Sequence, residues 1–319
     1  MKNKFPVFAA LCALFVLIFA SSRVIEGAAA GLRLCWQLIL PSLFPFFVVS
    51  GLLSRVGFPQ LAGQTLAPAA SRLFGVSGPG CTALFVGLTG GYPLGAAYLA
   101  ELEEQGQITP EEAGHLLGFC NNSGPAFLVG AIGAGLFRSA GIGVMLYLAH
   151  GLAAVLAGLI LRKRDAAPVL DSSAPLQPLS FSRALPEAVR AAVLAALNVC
   201  GFVVCFAVLT GLLDAWGVLD VLGNTLTRAT GLGAPQARAL LTGFFELGGG
   251  IGAMRGLAPT PGNLALAAAL VGWGGISVQF QTLSVLADSK CKASLHLAGR
   301  LMSAAFGAAL AYGMGILFL

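Results

Sequence analysis

Long apolar runs alternate with short polar stretches along the whole chain. Five of the runs are continuous and predict membrane-crossing helices, because about 20 apolar residues are needed to cross roughly 30 Å of hydrocarbon. They are residues 5–21, 27–54, 139–161, 187–213 and 293–318. The pattern therefore predicts an all-α, polytopic membrane protein.

Four further apolar segments are interrupted by glycine, proline or polar side chains. Segments 79–100 and 235–254 contain GLTGGYPLGA and FELGGGIGA, and segments 111–137 and 262–286 contain CNNSGP and WGGISVQFQ. Unpaired backbone groups cannot face lipid, so such breaks must be buried in protein or line a wet cavity. We predict that the first two segments are re-entrant hairpins and that the other two are broken transmembrane helices.

The composition agrees with lipid as the main solvent of the chain. Of the 319 residues, 57% are hydrophobic and 10% are charged, whereas about 25% are charged in an ordinary soluble domain. The mean hydropathy is +0.87. These values exclude a water-soluble globular enzyme. The net charge of +5 comes from scattered Lys and Arg residues rather than from a basic patch, so we expect no nucleic-acid partner.

Cysteine and histidine give no sign of a metal site or cofactor. The seven cysteines show no C-x-x-C spacing, and the three histidines are scattered along the chain, unlike the ligands of a metal centre. The apolar segments contain no H-E-x-x-H motif and no Ser–His or paired-Asp arrangement. We therefore expect no metal, no cofactor and no catalysis.

The two halves of the chain share landmarks, which indicates an internal duplication. Three pairs align in order at offsets that fall from 160 to 156 to 151: SGLL at 50–53 with TGLL at 210–213, Gly87 with Gly243, and Thr109-Pro110 with Thr260-Pro261. We divide the chain into an N-terminal transmembrane helix (1–24), a first repeat (25–161), a cytoplasmic linker (162–186) and a second repeat (187–319). A cleaved secretory signal is the alternative for the first segment.

The distribution of Lys and Arg favours the hairpin arrangement. With an internal N-terminus and two re-entrant hairpins, 11 basic residues lie inside and five outside; if both segments cross fully, the split is nine to seven. Cytoplasmic loops carry the excess of Lys and Arg. Each half then crosses the membrane three times, so the second half is inverted relative to the first. Inverted repeats are typical of secondary transporters, whose substrate site lies near the midplane where broken helices meet.

The polar breaks supply the candidate substrate-binding residues. Consecutive glycines free backbone amides and carbonyls, one phenol offers stacking or a hydrogen bond, and adjacent carboxamides precede a helix restart whose amides suit an anion. The candidates are Gly90, Gly91, Tyr92, Pro93, Asn121, Asn122, Ser123, Gly124, Gly275, Ser277 and Gln281. Tight packing of small residues and simple helix capping are the alternatives. Ser277 and Gln281 share a helix face at four-residue spacing, whereas Gln279 faces elsewhere.

Glu246, in FELGGG, is the one carboxylate that the hairpin arrangement is expected to bury deeply. An intramembrane carboxylate suggests a functional role, so we assign it to ion coupling, by proton transfer or as a sodium ligand. A structural ion pair with Arg33 or Arg300 is the alternative. Both arginines lie near predicted helix ends, so we expect them to extend to the interface. Glu112 belongs to a predicted capping box.

GGYPLGA at 90–96, QGQIT at 105–109 and FCNNSGPAF at 119–127 resemble the YlbJ/SpoVV family of sporulation integral membrane proteins. That family is part of the wider group with the nucleoside-recognition "Gate" domain, and FELGGG and GGISVQFQ are similar to the group's patterns. The resemblance runs from about residue 25 to the C-terminus, so both repeats are Gate-like. It implies a transporter that exports dipicolinic acid from the mother cell toward the forespore during sporulation.

The resemblance also leaves alternatives. A nucleoside transporter of the Gate group and a non-transporting sporulation scaffold are both compatible with the residues. The expected partners are the lipid bilayer and either dipicolinate, a small organic anion, or a nucleoside. Proton or sodium coupling and a homo-oligomer are also compatible with the sequence. The expected location is the cell membrane, and in a sporulating organism the mother-cell membrane around the forespore.

Overall fold

The computed structural model describes residues 4–162 and 178–319, without the side chains of residues 59, 60 and 62–64. Every regular element in these residues is a helix. Five helices are long and apolar enough to cross a membrane: Ser21–Arg55, Ala140–Ile160, Phe181–Ala215, Pro261–Val285 and Ala293–Phe318. The prediction of an all-α, polytopic membrane protein is confirmed.

The same order of elements occurs twice. Each half has a long helix, a surface helix, a pair of short helices, a broken helix and a closing helix. In the first half these are α2 (Ser21–Arg55), α3 (Phe58–Phe74), α4 (Gly78–Gly90) with α5 (Leu94–Glu104), α6 (Pro110–Cys120) with the π-helical α7 (Ala126–Leu136), and α8 (Ala140–Ile160). In the second half they are α9 (Phe181–Ala215), α10 (Val218–Thr230), α11 (Ala234–Phe245) with α12 (Leu247–Ala253), α13 (Pro261–Trp273) with α14 (Gly275–Val285), and α15 (His296–Phe318).

The two long helices show how the halves are related. Both α2 and α9 have 35 residues, and they pack side by side in opposite directions. A β-carbon on Gly27 would lie 2.9 Å from Val208 Cα, and one on Gly31 would lie 2.8 Å from Val204 Cα. Residue numbers thus rise along α2 as they fall along α9. Because equivalent helices run in opposite directions, the halves form an inverted repeat.

The short helix pairs fold back on themselves. A β-carbon on Gly95 would lie 3.1 Å from Gly87 Cα, and one on Gly243 would lie 3.3 Å from Gly250 Cα. The 13 residues of α4 and the 11 of α5 measure about 20 Å and 17 Å at 1.5 Å per residue. Neither helix can cross the hydrocarbon alone, so α4–α5 and α11–α12 have the geometry of re-entrant hairpins.

A surface helix precedes the first hairpin. The last part of α3, residues 65–74, meets α4 at an angle of 92°. If α4 enters the bilayer, α3 therefore lies along the interface, as amphipathic helices do.

The broken helices begin in the same way in both halves. Thr109 Oγ1 accepts a hydrogen bond from Glu112 N at 3.1 Å, and Thr260 Oγ1 accepts one from Asn263 N at 3.3 Å. A proline follows each capping threonine, where its missing N–H costs nothing. The helices are interrupted at residues 121–125 and at Gly274.

Helices α1, α2 and α9 begin or end at other residues than the predicted segments. The N-terminal helix α1 (Phe5–Phe19) has 15 residues, about 22 Å, which is shorter than the roughly 30 Å of hydrocarbon. Helix α2 begins at Ser21, six residues before the predicted span. Most of the predicted linker, residues 163–177, lies outside the described residues, and α9 begins at Phe181 within its last part.

The inverted arrangement predicts where two equivalent loops lie. In a variant whose native cysteines are replaced by alanine, Gln105→Cys and Ala258→Cys place exposed thiols after α5 and after α12. Because the repeats are inverted, we expect a membrane-impermeant maleimide to label one position from one face of sealed vesicles and the other position from the opposite face. Both must react after permeabilisation. Labelling of both from a single face contradicts the arrangement.

Candidate functional site

The four helix breaks meet in pairs. A β-carbon on Gly91 would lie 2.9 Å from Gly124 N, and one on Gly275 would lie 3.0 Å from Leu247 N. In each half, the tip of the hairpin therefore touches the break in the broken helix. Gly91 and Gly275 have φ angles of +83° and +79°, a conformation that L-residues with side chains rarely adopt. Glycine is required at these two positions both for the close approach and for the backbone conformation.

A cavity of about 40 Å³ lies between the breaks and the two long helices. It is lined by Ile39, Leu43, Gly91, Tyr92, Ser123, Gly124, Phe127, Val199, Val203, Glu246, Leu247, Gly248, Val278 and Gln281. Several lining residues are equivalent in the repeat: Ile39 and Val199, and Leu43 and Val203, are 160 positions apart. The cavity therefore lies at the interface of the repeats. We call it the central cavity.

The first-half candidates are divided between the cavity wall and the layer behind it. Gly91, Tyr92, Ser123 and Gly124 line the central cavity, whereas Gly90, Pro93, Asn121 and Asn122 do not. Asn121 Nδ2 donates to Thr282 Oγ1 at 2.8 Å, which connects the two halves. Asn122 Nδ2 donates to Phe119 O at 2.7 Å. The two carboxamides thus support the break from behind, and their role in substrate binding stays a prediction.

The second-half candidates lie as their spacing predicts. Gln281 lines the central cavity and donates from Nε2 to Ser277 Oγ at 3.1 Å. Ser277 is fully buried behind it, and Gly275 forms the contact with the hairpin. Gln279 is directed away and donates to Trp273 O at 2.8 Å.

Glu246 forms the N-cap of α12. Its carboxylate accepts hydrogen bonds from Gly248 N at 2.9 Å and Gly249 N at 2.5 Å, and only 4% of the residue is exposed. In the described part of the chain it forms no ion pair with Arg33 or Arg300, so the ion-pair alternative is not what the structure has.

From the sequence we expected Glu246 to be the one deeply buried carboxylate. That expectation is wrong, because Glu112 is buried as well. Glu112 is 3% exposed, and its Oε1 accepts a hydrogen bond from Ser77 N at 2.6 Å. The side chain therefore connects α6 to the start of α4. The sequence shows the capping position of Glu112 but not this neighbour, which comes from 35 residues away.

The expectation that Arg300 extends to the interface is wrong. Arg300 is fully buried, and its Nη2 donates to Asn122 Oδ1 at 3.3 Å. The reason is a close approach of α15 to α6, where Gly299 packs directly on the backbone of Gly118. That contact places Arg300 beside the break of the broken helix. Arg33, in contrast, is exposed as expected.

The position of His150 was also not predicted from the sequence. It is 1% exposed, and its Nε2 accepts a hydrogen bond from Ser123 N at 3.0 Å. This bond satisfies one amide of the break. The sequence offers no signal for it beyond a histidine within the apolar run of α8.

An open groove leads to the central cavity from one end of the long helices. This groove, the vestibule, has a volume of about 460 Å³ and runs between α2, α9 and the α11–α12 hairpin. Charged side chains on its walls are Arg23, Glu26, Asp214 and Arg238, and Arg238 pairs with Asp214 at 2.5 Å. Glu246 and Gly248 line both the vestibule and the central cavity, so a single layer of residues separates the two.

At the opposite end of the molecule, the end of α2 contacts the start of α9. Arg55, at the end of α2, pairs with Glu187 near the start of α9 at 3.6 Å. A β-carbon on Gly90 would lie 3.4 Å from Ser50 Cβ, so α2 packs against the first hairpin there. The two halves share their architecture but differ at this point, so the vestibule reaches the central cavity from the end where α2 begins and α9 ends.

Glu246 has a structural role that mutation can measure. Glu246→Ala removes two hydrogen-bond acceptors from the start of the seven-residue α12, so we expect a loss of about 1–2 kcal/mol in the free energy of unfolding. Glu246→Gln keeps one acceptor and should lose less. Thermal unfolding in detergent measures both, with exposed Glu104→Ala as the control. An unchanged midpoint for Glu246→Ala contradicts the capping role.

Comparison with known proteins identifies a relative that covers most of the chain. The chain is 30% identical over 310 residues to the sporulation integral membrane protein YlbJ of Bacillus subtilis (strain 168). The match covers 89% of this chain and 75% of the relative. No protein-family profile and no solved structure matches the chain, so the relation to the Gate group stays a prediction.

Proposed function

Because the chain belongs to the YlbJ family of sporulation integral membrane proteins, we propose that it carries a small organic anion across the membrane. The proposed cargo is dipicolinate, exported from the mother cell toward the forespore. The observation that supports a carrier most directly is the central cavity, which lies between the paired helix breaks of two inverted repeats. The chain is a multi-pass membrane protein, and the proposal includes no catalytic step.

The chemistry of the breaks explains why they support binding. Backbone that leaves the helix at membrane depth must be buried in protein or line a cavity, and discontinuous helices form the substrate sites of inverted-repeat carriers. Tyr92 offers an aromatic face, and Ser123 and Gln281 offer hydrogen-bond groups. At about 40 Å³ the cavity has room for a few water molecules. Cargo binding therefore requires the hairpin tips and the broken helices to separate.

The vestibule supports a carrier that opens to one face at a time. It leads to Glu246 from the end of the molecule where α2 begins and α9 ends, whereas Arg55 and Glu187 meet at the opposite end. If the two repeats exchange their conformations, the vestibule closes and an equivalent groove opens opposite. Glu246 lies between vestibule and cavity, and in our proposal it carries the coupling proton or contacts a sodium ion.

A nucleoside carrier is the second candidate. The carboxamide of Gln281 and the ring of Tyr92 in the central cavity suit a neutral ligand with a base and a ribose as well as an aromatic dianion. A scaffold without transport is the third reading, and it needs no opening of the cavity.

Uptake into proteoliposomes tests the proposal. We expect dipicolinate to enter and uridine not to enter, with a rate that depends on an imposed proton or sodium gradient. Gln281→Ala should lower dipicolinate uptake about 10-fold, which corresponds to one lost hydrogen bond of roughly 1.4 kcal/mol. Gln279→Ala is the matched control, because its carboxamide is directed away from the cavity.

Two outcomes contradict the proposal. Uptake of uridine without dipicolinate identifies a nucleoside carrier. Uptake of neither, from protein that is folded and correctly inserted, supports a scaffold. The coupling role of Glu246 fails separately if Glu246→Gln transports with an unchanged gradient dependence.

A further inference from the structure

Arg300 is a buried charge without a counter-ion in the described part of the chain. None of its area is exposed, and the ion pairs of the described residues do not include it. Among residues 4–162 and 178–319, its single hydrogen bond runs from Nη2 to Asn122 Oδ1 at 3.3 Å, and Nε and Nη1 have no partner. A guanidinium with three donor atoms therefore has two of them unsatisfied inside a membrane-spanning helix.

Such an arrangement is costly unless an anion completes it. Arginine keeps its proton in proteins, and an unpaired charge at membrane depth costs several kcal/mol. In the part of the chain that the structure describes, no ion pair supplies the missing negative charge. Glu246 accepts from two backbone amides elsewhere, and Asn122 is neutral. Burial here is enforced by the contact of Gly299 with Gly118, so Arg300 cannot extend to the interface instead.

The surroundings of Arg300 offer further hydrogen-bond donors. The hydroxyl groups of Tyr92, Ser123 and Ser303 are buried, and among the described residues they form no hydrogen bond of normal geometry, although those of Tyr92 and Ser123 lie next to each other. Tyr92 and Ser123 are themselves part of the wall of the central cavity. Arg300 does not line the cavity, but its partner Asn122 directly precedes Ser123 of the wall. A ligand therefore reaches the guanidinium when the hairpin tip and the broken helix separate.

We infer that Arg300 binds a carboxylate group of the ligand at the central cavity, with the hydroxyls of Tyr92 and Ser123 as additional donors. Nη2 carries two N–H groups and uses one of them for Asn122 Oδ1. Its other N–H, together with an N–H of Nε or Nη1 on the same edge of the guanidinium, donates two parallel hydrogen bonds to a planar carboxylate. The inference deepens the proposed function and rests on it for the identity of the cargo. It names a carboxylate anion as the ligand class and disfavours a neutral nucleoside, which would leave the charge unpaired.

Ligand-dependent thermal unfolding of the full chain in detergent tests the site. In zwitterionic buffer without added small anions, we expect dipicolinate to raise the unfolding midpoint of the wild type by several degrees. The neutral pyridine-2,6-dicarboxamide should not raise it. Arg300→Gln should abolish the shift, and Arg300→Lys should weaken the apparent affinity about 10-fold or more, because lysine lacks the bidentate fork. Arg33→Gln, which removes an exposed charge, should leave the shift unchanged.

Stability without ligand provides a second measurement. Gln retains an amide donor for Asn122 Oδ1 and removes the unpaired charge, so Arg300→Gln should unfold no earlier than the wild type in anion-free buffer. An earlier unfolding identifies a structural arginine and overturns the inference. So does a dipicolinate shift that survives in Arg300→Gln. A parallel measurement with chloride tests whether the site holds an inorganic anion instead. If chloride alone raises the unfolding midpoint of the wild type and dipicolinate adds nothing, the carboxylate assignment is wrong.

The failure of this inference is distinguishable from the failure of the proposed function. Dipicolinate uptake that Arg300→Gln leaves unaltered overturns the arginine site while the carrier stands. If dipicolinate raises the unfolding midpoint only when Arg300 is present, but the protein transports no dipicolinate, the anion site is supported and the carrier function is contradicted.

Discussion

The backbone of a membrane protein must find a hydrogen-bond partner for each peptide group within the protein itself, since lipid offers none. The rest of this structure depends on that constraint. Four interruptions of helical hydrogen bonding would be untenable if each faced lipid. They are arranged in two pairs, Gly91 with Gly124 and Gly275 with Leu247, and both pairs are enclosed by α2 and α9. The polar interior is thus a direct consequence of breaking the helices.

The duplication meets this requirement with little specialised sequence. Each repeat supplies one hairpin and one broken helix, and the antiparallel packing of the two 35-residue helices brings the two sets of breaks together. The symmetry is limited to the architecture. Charged and polar groups are distributed unequally: Glu246 caps a helix in the second hairpin, whereas Gly90-Gly91 occupies the comparable region of the first. An asymmetric ligand can therefore be bound between symmetric supports.

Local chemistry made much of this architecture predictable. Thr109-Pro110 and Thr260-Pro261 mark helix starts because side-chain capping and a missing proline N–H act within one turn, and glycine runs mark breaks for equally local reasons. The burial of Arg300 and Glu112 was not predictable in the same way. Both depend on contacts between distant segments, α15 with α6 and α6 with the start of α4. The position of Arg300 near a helix end indicated solvent, and a single glycine contact reversed that.

The length of α2 and α9 has a consequence for their surroundings. A straight helix of 35 residues measures about 52 Å, well beyond the roughly 30 Å hydrocarbon thickness. Each helix must tilt, project into the headgroups or thicken the bilayer locally, and the cost depends on how thick the bilayer is. Both helices supply wall residues of the central cavity, so the thickness of the surrounding bilayer acts on the same two elements that enclose the interior site.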